Sequence, residues 1–214
     1  MGEFITILTD ETAEIVEKKS KFIANIFRVE TVEEADEKIK IIKKKYHDAR
    51  HNCVAYRVSE NGPIVEKSSD DGEPSGTAGG PMLNILQKNN LCNIVVIVTR
   101  YFGGILLGTG GLVRAYSDAT QKAIEKCIKV YKVEGIELEI KLDYANLEIF
   151  KYYCKNNDIK IIQTDYAEDI VLKIEMEKNR KNIFLEDIET KTLNIKEYQV
   201  LQEKFINKTV EKNK

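Results

Sequence analysis

Residues 99–117 read TRYFGGILLGTGGLVRAYS and set the plan of the first half of the chain. They continue the apolar run from Ile94 to Val98, which is typical of a central strand covered on both faces. The glycine-rich part follows as a loop, and apolar residues from Leu112 to Cys127 then recur at the spacing of one face of a long helix. A strand, a glycine loop and a helix in this order indicate an α+β domain.

The segments upstream predict further elements of the same domain. Residues 12–17 and 21–29 are expected to pair as strands, and residues 52–58 to form another strand. The sequence Thr31-Val-Glu-Glu34 is a capping box, a pattern that begins a helix. A short helix is expected within residues 79–90.

The second half has the pattern of a ferredoxin-like domain. Apolar and charged residues alternate from Ile136 to Asp143, which predicts a strand with one buried face. The charge balance and composition change near Val130 to Gly135, so we expect domains over residues 1–132 and 133–207 and a frayed tail over 208–214. The order of elements is βαββαβ: a strand at 136–142, a helix at 145–156, strands at 158–163 and 169–176, a helix at 179–190 and a strand at 195–204.

Composition narrows the class of protein. Lysine and arginine number 33 against 35 acidic residues, a formal net charge of −2, which argues against non-specific coating of nucleic acid. The longest purely apolar run has five residues, and the first residues do not form a signal peptide, so no membrane partner is expected. Four cysteines without a CxxC pair are expected to be reduced thiols. We therefore expect a soluble cytoplasmic protein.

The glycine loop is a candidate anion site. Free backbone N–H groups at the start of the helix, with Thr109 as its cap, would bind phosphate, and Arg100 and Arg114 would add charge. The sequence fits neither nucleotide motif, because Thr109 stands where a Walker loop needs lysine and Val113 where GxGxxG needs its third glycine. The alternative is that these glycines only permit a tight turn and close helix packing.

Two other motif stretches carry chemically active side chains. In residues 47–56, HDARHNCVAY, the side chains of His47, His51 and Cys53 could suggest a metal or nucleophile site, but they are too few for zinc and lack a third orienting group. In residues 70–79, DDGEPSGTAG, the three acids could bind magnesium or transfer protons, or could be solvated residues of a turn. We favour the turn, expect it to lie beside the glycine loop, and predict neither a metal nor a cofactor.

Residues 70–79 and 99–117 resemble the signature of the IMPACT/YigZ family, and the resemblance covers the whole chain. It implies a first domain similar to domain IV of elongation factor G and a second similar to its ferredoxin-like domain V. Eukaryotic relatives of the first domain act in translational control under amino-acid starvation, and bacterial members have been proposed to bind nucleic acid or the ribosome. No established enzymatic activity comes with the resemblance. Many members carry a basic residue where this chain has Gly80, so we expect a weaker basic patch here.

These observations lead to one functional prediction and two alternatives. We expect a cytosolic, non-enzymatic accessory protein of translation that binds the ribosome, RNA or a translation-associated protein through the glycine-rich face. The alternatives are a nucleotide- or phosphometabolite-binding enzyme, and a domain that binds only protein through Tyr101, Phe102 and Leu106. The residues predicted to form the binding face lie in the two motif stretches: Asp70, Asp71, Gly72, Glu73, Ser75, Gly76, Thr77, Gly79, Arg100, Tyr101, Gly103, Gly104, Gly108, Thr109, Gly110, Gly111 and Arg114.

Overall fold

A central antiparallel sheet organises the first half of the chain in the computed structural model, which describes residues 3–60 and 62–209. Its strands follow the order β2-β3-β6-β4-β5, and residues 1–131 carry this first unit. The elements in chain order are β1 (Phe4–Ile7), β2 (Glu11–Glu17), β3 (Ser20–Arg28), α1 (Val32–Lys45), β4 (His51–Val58), β5 (Val65–Ser69), α2 (Gly79–Lys88), β6 (Ile94–Tyr101) and α3 (Gly108–Lys126).

Strand β6 is buried on both faces, as its apolar sequence predicts. Val96 and Val98 face a core formed with helices α2 and α3, whereas Val95 and Ile97 face a second core beneath α1. The strand continues to Tyr101, three residues beyond the predicted apolar run. Thr99, the first polar residue of this extension, is satisfied inside the fold, because its hydroxyl donates to Asn52 Oδ1 at 2.7 Å.

Helix α1 begins at the predicted capping box. Thr31 is the N-cap, and its hydroxyl accepts the N–H of Glu34 at 3.1 Å. The Glu34 carboxylate accepts the N–H of Glu30 at 2.7 Å, one residue before the usual partner in a capping box. The three lysines of the last turn complement the negative end of the helix.

The second unit, residues 132–208, has the predicted ferredoxin-like plan. Its sheet order is β10-β7-β9-β8, and the alternating residues of β7 place Ile136, Leu138, Ile140 and Leu142 in the core. The predicted tail is partly wrong, because Lys208 and Thr209 belong to the last strand; residues 210–214 lie outside the described residues. The elements are β7 (Lys129–Leu142), α4 (Leu147–Asn156), β8 (Lys160–Tyr166), β9 (Ile170–Glu177), α5 (Lys181–Glu189) and β10 (Glu197–Thr209).

The outward face of this second sheet is a charged network. Glu137 on β7 lies opposite Glu175 on β9, and Lys204 on β10 binds both carboxylates, at 2.5 and 2.6 Å. Hydrogen bonds from Lys204 and Gln202 lower the pKa of Glu137, and the Lys204 charge acts in the same direction. Lys204 is therefore fully engaged by the two glutamates within the sheet.

Two short strands escape the sequence patterns. Strand β1 is four residues long and bonds to the segment around Leu91, and β5 is an edge strand whose five residues are all exposed. An edge strand with no buried face has no hydrophobic alternation to reveal it. None of the described helices is long and apolar enough to cross a membrane.

Candidate functional site

The fold brings the motif stretches to one end of the first sheet. Lys21, at the start of β3, pairs with Tyr101 at the end of β6, and His51, at the start of β4, pairs with Arg100. Ser69 ends β5 at the same side, opposite Val54. Helices α2 and α3 both begin from loops that leave this end. We call this surface the motif edge; it comprises residues 18–20, 47–52, 70–80 and 100–114.

Asp70 holds its own loop and the start of α2. Its Oδ1 accepts the N–H groups of Ala78 at 3.0 Å and Gly79 at 2.9 Å, and its Oδ2 accepts that of Gly76 at 2.8 Å. Burial alone would raise the pKa of Asp70, but these three donors outweigh it and hold the pKa below its ordinary value. Asp70 thus replaces the side-chain cap that α2 lacks at Ala78.

Asp71 fastens the loop to the neighbouring elements. Its Oδ2 accepts the N–H of Asn52 at 2.7 Å, and its Oδ1 lies 2.7 Å from the Lys43 ammonium of α1. The Asp71 carbonyl oxygen is 2.9 Å from His51 Nδ1, which makes Nδ1 the protonated nitrogen. The loop is therefore tied to both β4 and α1.

Glu73 lies at the centre of a buried polar cluster. It is 8% exposed, and its Oε1 accepts Arg100 Nη1 at 2.6 Å and the Tyr116 hydroxyl at 2.9 Å. His51 Nε2 is 4.0 Å from the same oxygen. Because Arg100 and Tyr116 flank the glycine loop in sequence, these contacts confirm that the acidic loop lies beside it. They also correct the interpretation of a solvated turn, since Glu73 is withdrawn from water.

Arg100 is not free to contact phosphate. It is 7% exposed, is neutralised by Glu73, and lies between the rings of Phe22 and Phe102 with its guanidinium 5.5 and 5.7 Å from their centroids. Its Nε has no hydrogen-bond partner within the described part of the chain. The prediction that Arg100 supplies charge to a ligand is therefore wrong for this conformation.

Several glycines of the motif stretches have a structural reason. A Cβ on Gly103 would lie 2.0 Å from the carbonyl carbon of Lys19, so this glycine lets the loop pack directly on the turn between β2 and β3. Four other glycines have positive φ angles, a backbone conformation that glycine adopts most easily: Gly72, Gly76, Gly104 and Gly108. A Cβ added at Gly79 would lie 2.6 Å from the Ser69 backbone nitrogen, so glycine is needed here as well.

Neither packing nor backbone conformation requires glycine at Gly110 or Gly80. An added Cβ would meet no atom within 4 Å at either position, and neither has a left-handed backbone. The predicted capping role of Thr109 is wrong, because Thr109 lies in the first turn of α3. The N-cap is Leu107, which makes no side-chain capping bond. Gly111 packs on the Leu107 side chain at 3.1 Å.

The remaining predicted residues divide between support and surface. The Tyr101 hydroxyl donates to Asp48 at 2.7 Å, and this bond is the main cause that raises the pKa of Tyr101 to about 12. Thr77 is buried and donates to the Pro74 carbonyl, whereas Ser75 is exposed. Arg114 is exposed and lies 3.8 Å from Asp118, the pairing its spacing predicts.

An exposed apolar tip projects from the glycine loop. Phe102 is 53% exposed and Leu106 is 82% exposed, as predicted for a protein-binding surface, and Ile105 is 43% exposed between them. The turn beside it carries Lys18 and Lys19, both exposed and both with positive φ. The motif edge thus combines an apolar tip with a basic turn.

The first unit does not offer an activated nucleophile at Cys53. Burial is the main cause that raises the pKa of its thiol to about 12, and the thiol donates to the Asp70 carbonyl at 3.0 Å. Over residues 3–60 and 62–209, no group of three or more His, Cys, Asp or Glu side chains is placed to hold a metal ion.

Comparison with known proteins identifies both units. The Impact N-terminal domain family matches residues 18–124, which include the whole motif edge, and a domain of unknown function, DUF1949, matches residues 140–192. IMPACT family member YvyE of Bacillus subtilis is 38% identical over 186 residues, covering 87% of this chain and 85% of that protein. The chain belongs to the IMPACT family.

Two further comparisons show how much of the chain is shared. A crystal structure of a hypothetical protein is similar over 100% of both chains, with 30% identity and a TM-score of 0.59. A Protein IMPACT homolog of Dictyostelium discoideum is 43% identical over 106 residues, which is 48% of this chain but 30% of that protein. The similarity to the Dictyostelium protein therefore covers about half of this chain and less than a third of that protein. The similarity to the Bacillus protein extends over most of both chains.

Proposed function

We propose that this IMPACT family member is a non-enzymatic accessory protein of translation, and that its motif edge binds a component of the translation apparatus. The observation that carries the proposal is that the acidic motif residues hold their own loop in place. Asp70, Asp71 and Glu73 are all engaged in bonds that fix the loop, and Cys53 is held as a thiol. When the reactive groups of a surface are already bonded within the fold, that surface is suited to recognition rather than to bond-breaking chemistry.

Family membership supports translation as the setting. The Impact N-terminal domain match covers the motif edge, and the family's eukaryotic members act in translational control, as the sequence resemblance implies. The unit that carries the motif edge matches the Impact N-terminal domain family, and a Protein IMPACT homolog of Dictyostelium discoideum is similar to 48% of this chain. This supports a common recognition role for that surface in both groups.

Local electrostatics favour an anionic target. Lys18 and Lys19 are exposed beside Gly103, and Arg114 is exposed on α3 with only a long, solvated pair to Asp118. Helix α3 also begins at the edge without a side-chain cap, and the start of a helix carries partial positive charge. The chain as a whole is slightly acidic, so this basic turn is a local feature.

Co-sedimentation with purified ribosomes across a salt series tests the proposal. The edge variants are Lys18→Glu with Lys19→Glu, and separately Arg114→Glu. Arg100→Glu is unsuitable because it would place two carboxylates in the buried cluster. Lys155→Glu with Lys160→Glu on the second unit makes the same change of charge as the double edge variant and is its matched control.

We expect binding that weakens as salt rises, is lost in the edge double variant and persists in the control, because ionic contacts are screened by salt. Absence of ribosome binding by the unaltered chain at low salt would contradict the proposal. Equal loss in the edge and control variants would show that net charge, and not the motif edge, determines binding.

A further inference from the structure

We infer that the motif edge recognises a protein, and that its ligand is an acidic amphipathic segment whose apolar side packs on the loop tip, residues 102–106. The acidic groups of the segment would face the turn of Lys18 and Lys19. This inference rests on the proposed function and narrows it, because it assigns the class of macromolecule that occupies the surface.

The first argument is an exposed apolar tip on a loop that is anchored at its base. The loop tip carries Phe102, Ile105 and Leu106. Leu106 is 82% exposed, so it contributes little to the packing of its own domain. Phe102 is held by the Arg100 guanidinium, and the loop is fixed by the packing of Gly103 on the Lys19 peptide. An apolar anchor that is already held in place, such as Phe102, loses little entropy on binding, as is typical of the energetic centre of a protein interface.

The second argument is the balance of charge. RNA binding needs several cations that each neutralise a phosphate. Here Arg100 is buried against Glu73 and cannot contribute. The exposed cations of the motif edge are therefore few: Lys18, Lys19, Arg50 and Arg114. Of these, Lys18 and Lys19 belong to the turn on which the loop of the apolar tip packs. Two lysines at the rim of an apolar patch complement a segment with a few carboxylates better than a continuous polyanion.

The third argument comes from Gly80 and Gly110. Glycine in a helix is less stable than alanine by up to about 1 kcal/mol. Neither position has a crowded Cβ or a left-handed backbone, so the fold of this chain gives no reason for glycine. Both lie in first helical turns at the motif edge, where a bare backbone permits the close approach of another chain.

The inference is tested by fluorescence anisotropy with two probes. One is a labelled peptide of about 18 residues, about five helical turns, with leucine and phenylalanine on one face and glutamate on the other. The second is a labelled uridine oligonucleotide of comparable length. The full chain is compared with Leu106→Asp, with the Lys18→Glu and Lys19→Glu double variant, and with Ile183→Asp. Ile183 is 60% exposed on the second unit, so its variant is the matched control for an added surface charge.

We expect the peptide to bind, and Leu106→Asp and the double lysine variant each to weaken it at least about tenfold, which is about 1.4 kcal/mol. Ile183→Asp should leave the dissociation constant within about twofold of the unaltered value. Thermal melting followed by circular dichroism establishes that each variant is folded, and Leu106→Ala provides a milder change at the same position.

Two results would overturn the inference. One is absence of peptide binding, or peptide binding that Leu106→Asp leaves unchanged. The other is tighter binding of the oligonucleotide that depends on the two lysines and not on Leu106, which would leave the proposed role in translation intact. Conversely, peptide binding as expected together with absence of ribosome sedimentation would refute the proposed function and preserve the protein-binding surface.

Discussion

Replacing Gly103 with alanine should destabilise the first unit strongly. The new Cβ would lie 2.0 Å from the Lys19 carbonyl carbon, 2.1 Å from its oxygen and 2.3 Å from the Ser20 nitrogen. Since non-bonded carbon atoms normally lie about 3.5–4.0 Å apart, either the loop or the turn must move by about 1.5 Å. Both sides of the contact are backbone, so a change of rotamer cannot relieve it.

The expected magnitude follows from two costs. Overpacking in a tightly fitted region costs about 1–3 kcal/mol. The shift would also break the hydrogen bond from the Gly103 N–H to Ser20 Oγ, now 3.2 Å, whose net contribution is about 1 kcal/mol. We therefore expect a loss of about 2–4 kcal/mol and a decrease of at least about 4 °C in the melting temperature of the first unit.

Gly110→Ala is the matched control. It adds the same methyl group at a helical position where the side chain meets no atom within 4 Å. It should stabilise the chain by about 0.5 kcal/mol, because alanine favours the helix. If the docking inference is correct, this more stable variant should bind the acidic peptide more weakly.

Thermal melts of the two variants, followed by circular dichroism, decide the matter. A Gly103→Ala protein that melts together with the unaltered chain would refute the packing argument. So would a Gly110→Ala protein destabilised as much as Gly103→Ala, because the contrast depends on the different surroundings of the two glycines.

Four further predictions address other contacts. Arg100→Met should cost about 3–5 kcal/mol in urea unfolding by leaving Glu73 buried without its cation, and a second change, Glu73→Gln, should recover part of that loss. Because its pKa is lowered by folding, Asp70 contributes stability above its ordinary pKa near 3.8 that is lost as pH falls through the folded value. The protection factors of the amides that donate to Asp70, which are exchange rates compared with unstructured amides at the same pH, should fall over that interval, and Asp70→Asn should abolish this pH dependence. Lys204→Met should destabilise the second unit by about 1 kcal/mol, less at high salt, because the lysine relieves two facing carboxylates yet is one-third exposed. A panel of nucleotides and phosphorylated metabolites should leave the melting temperature unchanged, and a shift that saturates with one of them would favour the enzyme alternative.

Local patterns were sufficient for much of the fold. The capping box at Thr31, the covered strand β6 and the alternation of β7 each depend on residues close in sequence, and all three are confirmed. Helix α3 follows from the same kind of periodicity. The edge strand β5 was missed because its stability comes from pairing with β4 and not from a buried face of its own.

The candidate site was predictable in position but not in chemistry. The motif stretches do meet at one edge, yet Arg100 finds its partner 27 residues away in Glu73, and sequence alone gives no sign of that pairing. A conspicuous arginine beside a glycine loop was therefore assigned to a ligand when it belongs to the interior. Gly80 and Gly110 could be recognised as unusual only once the space around them was known.

The four buried cysteines have a practical consequence. All four are free thiols, and burial is the main cause that raises the pKa to about 12 at Cys53 and Cys154 and to about 11 at Cys127. The thiol pKa of Cys92 is raised in the same way. A maleimide dye should therefore leave the native thiols unmodified and react with a cysteine introduced at the exposed Ser75. The chain is already suited to single-site labelling, and a dye at this position would report occupancy of the motif edge in real time.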